Sequence, residues 1–146
     1  MTTYILARSA GFCFGVERSI RMAEDALQNG ACRCLGELIH NRDAVTALEK
    51  KGLSVIESPA ELPEGERVII RAHGVARAVY EELSARHADI LDATCPLVER
   101  IHTIVREESE KGRQIVVIGD AKHPEIQGIC GWCRDAVVLP DAAELD

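Results

Sequence analysis

Two cysteines share one kind of setting. Cys13 lies in Gly11-Phe12-Cys13-Phe14-Gly15-Val16-Glu17, after the apolar run Tyr4-Ile5-Leu6-Ala7 and before a helical pattern carried by Val16, Ile20, Ala23 and Leu27. Cys95 lies in Thr94-Cys95-Pro96, where proline suits a first helical position and makes the cysteine the N-cap. Glycine on either side of Cys13 lets the backbone take positive φ and come close to a ligand. A helix N-terminus offers free N–H groups and the positive end of a dipole, which favours thiolate over thiol. A thiolate so presented is a candidate metal ligand or nucleophile. Two of them can hold part of an iron–sulfur cluster or a zinc ion, or form a redox couple. The plainer alternative for any one cysteine is a small apolar side chain filling a turn.

Three histidines extend the set. His40-Asn41, His73-Gly74 and His123-Pro124-Glu125 each follow a predicted strand, as Cys13 and Cys95 do. In open α/β sheets the crevice outside the carboxyl ends of the strands is where ligands bind. Glu125 is the only carboxylate beside a histidine in these loops, which suits it to act as a general acid or to cap a helix. His87 and His102 fall inside predicted helices and are assigned structural or solvated roles. Cys32-Arg33-Cys34 is spaced too closely for a zinc ribbon, and its two side chains share one face of a strand. Cys130-Gly131-Trp132-Cys133 has redox-pair spacing but does not begin a helix directly after a strand. These four are expected to be free thiols.

The elements that must position these residues alternate along the chain. Strands are predicted at Tyr4–Ala7, Ala31–Leu35, Leu53–Ile56, Arg67–Arg71, Asp89–Asp92, Gln114–Gly119 and Asp135–Leu139. Helices are predicted from Val16, over Arg42 to Lys51, over Ala76 to His87, and over Pro96 to Lys111, with a capped turn at Ser58-Pro59-Ala60-Glu61-Leu62. The Pro96 helix has Leu97, Val98, Ile101, Ile104 and Val105 on one predicted apolar face. Short apolar strands separated by helices imply an α/β fold, a mostly parallel sheet with helices on both faces. Pro140 to Asp146 reads as a turn and the opening residues of a further helix.

Composition sets outer limits. The 146 residues are 47% hydrophobic and 28% charged but only 3% aromatic, so the core must rest on Ile, Leu, Val and Ala. A net charge of −7 argues against nucleic-acid binding, which needs a basic face, yet leaves room for a locally positive pocket taking a small anion. No stretch has the length of a membrane-spanning helix, and Met1-Thr2-Thr3-Tyr4 lacks the regions of a signal peptide. The expected location is the reducing cytoplasm. There, six cysteines give weight to metal or redox chemistry over disulfides.

Taken in order, the motifs resemble one family. Gly11–Val16, Gly36-Glu37-Leu38-Ile39-His40-Asn41, Arg71-Ala72-His73-Gly74-Val75, Asp92-Ala93-Thr94-Cys95-Pro96-Leu97-Val98 and His123-Pro124-Glu125, with Gly131-Trp132 beyond, look like the N-terminal part of the 4-hydroxy-3-methylbut-2-enyl diphosphate reductases. The resemblance implies a three-domain α/β trefoil around a [4Fe–4S] cluster held by one cysteine from each domain, with Cys13 and Cys95 matching two of the three. It implies reductive removal of an allylic hydroxyl from a small diphosphate, giving isopentenyl and dimethylallyl diphosphates on the methylerythritol phosphate route. His40, His73 and His123 match the pocket that holds the diphosphate, and Glu125 matches the carboxylate that passes a proton, with His123 beside it. Ferredoxin or flavodoxin is the implied electron donor. On this reading residues 1–95 form a first domain and 96–146 an incomplete second, with the third domain and its cysteine ligand absent. The chain alone is then expected to hold a cluster poorly and to turn over little. The alternatives are a zinc- or thiol-based binding protein using the additional cysteines, and a shortened non-catalytic paralogue.

Overall fold

A computed structural model describes residues 3–145. Four short strands, β1 (Cys32–Leu35), β2 (Leu53–Ile56), β3 (Arg67–Ile70) and β4 (Asp89–Asp92), form one sheet in the order β2-β1-β3-β4. Every pairing in it is parallel. Parallel strands need long crossovers, and two helices provide them: α2 (Arg42–Glu49) between β1 and β2, and α3 (Arg77–Ala85) between β3 and β4.

The two crossovers cover opposite faces. Cys32, Cys34 and Ile69 point into one core with Val45 and Leu48 of α2 and Ala23 and Ala26 of α1 (Phe14–Leu27). Leu35, Val68 and Ile70 point into the other, with Leu83 of α3 and Ile56 and Leu62. Burial on both faces is why β3 reads as an unbroken β-branched run. Val68, Ile69 and Ile70 are each fully buried.

A second, smaller sheet pairs β5 (Val116–Ile118) with β6 (Val137–Leu139), again in parallel. Helix α4 (Pro96–Glu110) leads from the first sheet to the second, and α5 (Pro124–Cys130) joins β5 to β6 against α4.

Several expectations are corrected. Tyr4–Ala7 forms no strand: Tyr4, Ile5 and Leu6 are 86–93% exposed, because no described strand lies beside them to pair with. Cys13 therefore does not follow a strand. Gln114–Gly119, the most apolar run in the chain, shortens to three residues, with Val116 and Ile118 exposed. Its sheet has only two strands, so neither strand is flanked on both sides.

On α4 the buried face is Val98, His102 and Val105, while Leu97, Ile101 and Ile104 are exposed. His102 is thus a core residue. His87 lies past the end of α3 at φ 54, outside the helix and exposed. The turn before the chain's end is a short 3₁₀ helix, Ala142–Glu144, capped by Asp141.

Candidate active site

The sheet order places β1 and β3 side by side while their crossovers leave in opposite directions. That arrangement opens a crevice at the carboxyl ends of those two strands. His40 lies in the loop after β1 and His73 in the loop after β3, and their ring centroids stand 4.0 Å apart. The loops are tied by the Ala72 N–H, which donates to the Leu38 carbonyl at 3.0 Å. The Asn41 side chain caps α2 through the Ala44 N–H at 3.0 Å and so holds the end of the His40 loop.

The third imidazole comes from the other sheet. His123 is the N-cap of α5, and its ring lies 5.2 Å from His40 and 5.9 Å from His73. The Glu125 N–H donates to His123 Nδ1 at 3.2 Å. Nδ1 is therefore an acceptor, and the neutral ring carries its proton on Nε2, free to donate to a ligand. The same bond places Glu125 in the first turn of α5, where its backbone meets His123. The helix cap is the His123 imidazole, and the Glu125 carboxylate is left free of that duty.

One imidazole of the cluster is held uncharged. Burial, followed by the neighbouring charges of His40, Arg71 and His123, pushes His73 down to about 4. Its Nδ1 is buried without a partner. Arg71 is the nearby fixed positive charge. Burial lowers it too, but from a value so high that it stays protonated. Three imidazoles beside a permanent cation form a cluster whose donors suit an anion, in a chain that is acidic as a whole.

The two cysteines sit at two adjoining helix starts. Cys13 is the N-cap of α1 and Cys95 the N-cap of α4, and neither side chain makes a capping hydrogen bond. Gly15, in the first turn of α1, has no Cβ, and the space is filled by the Cys95 Sγ. Its value here is close approach, not the positive φ expected for it. Arg18 secures the contact by donating from Nη1 to the Thr94 carbonyl at 3.1 Å. The Thr94 N–H in turn donates to Asp92 Oδ1 at 2.9 Å, and the Cys95 N–H to the Ala72 carbonyl at 2.9 Å. So the N-termini of α1 and α4 adjoin, each carrying a sulfur free of hydrogen-bonding duties. Among the described residues, no group of three or more His, Cys, Asp or Glu side chains converges as a metal site.

The other cysteines stand apart from this pair. Cys32 and Cys34 lie inside the first core, where burial raises both thiols, Cys34 to about 12. Cys130 and Cys133 sit at the far end of α5, and burial raises them as well. Among the described residues these four do not come together in a metal-binding group. Sequence reasoning assigned no site role to Arg71 or to His102. Arg71 lies inside a matching motif, but nothing local reveals that its guanidinium rests on Gly36.

The family model described as LytB protein matches residues 4–146. The chain belongs to the LytB family. It is 45% identical over 136 residues to a 4-hydroxy-3-methylbut-2-enyl diphosphate reductase of Clostridioides difficile, a match covering 92% of this chain and 49% of the relative. A reductase of the same name from Caldanaerobacter subterraneus is 42% identical over 145 residues, covering 96% and 50%. Among solved structures, the E-1-hydroxy-2-methyl-but-2-enyl-4-diphosphate reductase of Plasmodium falciparum superposes with a TM-score of 0.88 at 28% identity, over 93% of this chain and 44% of that one. A structure described as the terminal enzyme of the non-mevalonate pathway gives 0.82 at 35% identity, over 97% and 52%. This LytB-family chain thus spans about half the length of the relatives it matches. No helix among its described residues is long and apolar enough to cross a membrane.

Proposed function

We propose that the chain supplies part of an iron–sulfur reductase acting on 4-hydroxy-3-methylbut-2-enyl diphosphate in the cytoplasm. The observation that carries this reading is the meeting of His40, His73 and His123 from three separate loops, one of them from the second sheet. Packing alone does not call for three imidazoles within 6 Å, because burial beside its neighbours holds His73 below its ordinary value and leaves its Nδ1 unpaired.

In this reading the imidazoles donate N–H groups to the diphosphate, and Arg71 contributes its charge. The His123 Nε2–H points its proton toward the anion because Nδ1 is occupied by the Glu125 N–H. Glu125, one residue beyond Pro124 in the first turn of α5, passes a proton to the leaving hydroxyl. Overall, two electrons and two protons replace the C–O bond with C–H and release water, giving isopentenyl and dimethylallyl diphosphates.

Cys13 and Cys95 fit the cluster as two of its thiolate ligands: both stand at helix N-cap positions, neither spends its sulfur on a capping hydrogen bond, and Gly15 makes room for the Cys95 sulfur. A [4Fe–4S] cluster bound there would supply the electrons and a Lewis-acidic iron for the hydroxyl. Its third thiolate comes from sequence outside these 146 residues, a reading that the greater length of the relatives supports. Residues 1–95 then form a first domain and 96–146 part of a second. Ferredoxin or flavodoxin delivers the electrons.

Anaerobic reconstitution with iron and sulfide tests the ligand assignment without requiring turnover. The chain should take up substoichiometric iron with labile sulfide, and C13A or C95A should abolish it. Stoichiometric zinc without sulfide, or uptake indifferent to both substitutions, would overturn the proposal.

A further inference from the structure

We infer that the stacked pair His102 and Trp132 is a positioning element for the three-histidine pocket, setting how far His123 stands from His40 and His73. The inference rests on the proposed reading of that pocket only for the ligand used in one of its tests.

The His102 and Trp132 rings stack at 5.3 Å and 18°. His102 is 3% exposed, and its Nε2 has no hydrogen-bond partner, so the ring serves as a flat spacer. What the pair touches is specific. A Cβ on Gly74 would stand 2.6 Å from His102 Cε1, and Gly74 directly follows His73. The Trp132 indole N–H donates to the carbonyl of Val75, the next residue, at 2.9 Å. A Cβ on Gly131 would come within 2.2 Å of the Ala76 Cβ, and the Arg77 N–H donates to the Gly131 carbonyl at 3.4 Å. The residues after His73 are therefore clasped, one after another, by α4 and the end of α5.

Helix α5 transmits that clasp. It has seven residues, about 10 Å of rigid helix, with His123 at its N-cap and Trp132 just past its C-terminus. Midway, Gly128 lies against the Gly74 backbone, where its own Cβ would meet the carbonyl oxygen at 3.6 Å. The β5–β6 sheet makes no strand pairing with the first sheet. The placement of His123 over His73 thus depends on helix contacts, with this stack at their centre. Tyr80 closes the outer side, edge-on to Trp132 at 5.9 Å and donating to Asp92 Oδ2 at 2.8 Å.

A tryptophan that merely fills space would affect stability alone. A positioning tryptophan also changes how the three imidazoles sense one another. The test follows the imidazole titrations of His40, His73 and His123 by NMR in the full chain, and measures inorganic diphosphate binding by calorimetry, for wild type, W132F and W132A. W132A should release His123, raise the His73 midpoint from about 4 as its burial and the His123 contribution are relieved, and weaken diphosphate binding at least tenfold. W132F, which keeps a ring to stack but loses the N–H, should fall between W132A and wild type. Unchanged titrations in folded W132A overturn the inference. If W132A does not fold, unchanged titrations in W132F overturn it. If the wild-type chain binds no diphosphate, the pocket reading fails, and the titrations still decide the positioning role.

Discussion

The Sγ of Cys95 occupies the space a side chain on Gly15 would need, 2.5 Å from where its Cβ would stand. One helix start is therefore shaped to receive the sulfur of another, and Cys13 caps the receiving helix. Substituting G15A sets two effects against each other. Alanine gains about 1 kcal/mol of helix propensity, while forcing a methyl into filled space costs about 1–3 kcal/mol. The Cys95 Cβ, 3.3 Å away, is also in the path, so rotating the sulfur aside does not relieve the contact. A net loss of about 1 kcal/mol is expected in urea unfolding, with iron uptake falling alongside. Greater stability than wild type would show that the helices do not adjoin as described.

Gly74 combines strain with proximity. Its φ is +69, and a Cβ there would meet His102 at 2.6 Å and the Thr94 methyl at 3.1 Å. Left-handed strain of about 1–3 kcal/mol adds to overpacking of similar size. G74A should lose about 2–6 kcal/mol, read from the shift of the urea midpoint. A change within about 0.5 kcal/mol, the range of an ordinary surface substitution, would contradict the close packing of His102.

Acid should weaken the fold through its histidines. His73 falls from 6.5 to about 4, by burial first and then through His40, Arg71 and His123. His102 is lowered by burial, with Asp92 opposing. The unfolded chain therefore binds more protons than the native one between pH 6.5 and about 4. Stability contributed by keeping these rings neutral is complete above the unfolded value and is lost as pH falls through that window. Urea midpoints at about pH 7, 6 and 5 should decline in turn, and H73N should flatten the slope. A midpoint that rises toward pH 5 would reverse the sign of the argument.

The six cysteines should separate by reactivity. Cys13 is exposed, whereas Cys34 is fully buried and raised from 9.0 to about 12. That shift alone lowers the thiolate fraction on the order of a thousandfold. An aromatic disulfide reagent should label Cys13 in the native chain and reach Cys34 only on unfolding. Rapid native labelling of Cys34, identified by peptide mapping, would place it outside the core.

Local signals carried most of the element map. The Ser58 cap with Pro59 behind it and the proline after Cys95 act within a single turn, so they are legible in neighbouring residues. Strand β3 was equally plain, because a run of Val and Ile bounded by polar residues has few other uses. The failures share a cause. Tyr4–Ala7 has strand composition, but a strand exists only when a neighbour takes its hydrogen bonds, and composition does not report neighbours. On α4 the predicted face of Leu97, Val98, Ile101, Ile104 and Val105 is divided: Val98 and Val105 are buried beside His102, while Leu97, Ile101 and Ile104 are exposed.

The chemistry divides the same way. Residue type and order were enough to single out Cys13, Cys95, His40, His73, His123 and Glu125, because thiols at helix starts and imidazoles after strands leave marks in the sequence. The convergence of the three histidines was not written there. The order β2-β1-β3-β4 puts the His40 and His73 loops at one crevice, and α5 swings His123 across from a different sheet. The fit of Cys95 against Gly15, the rest of Arg71 on Gly36 and the clasp of Trp132 on Val75 join residues 35 to 80 positions apart, and each rests on an absent Cβ or a single hydrogen bond. Periodicity reports which side of an element is apolar. Only packing decides which element that side meets.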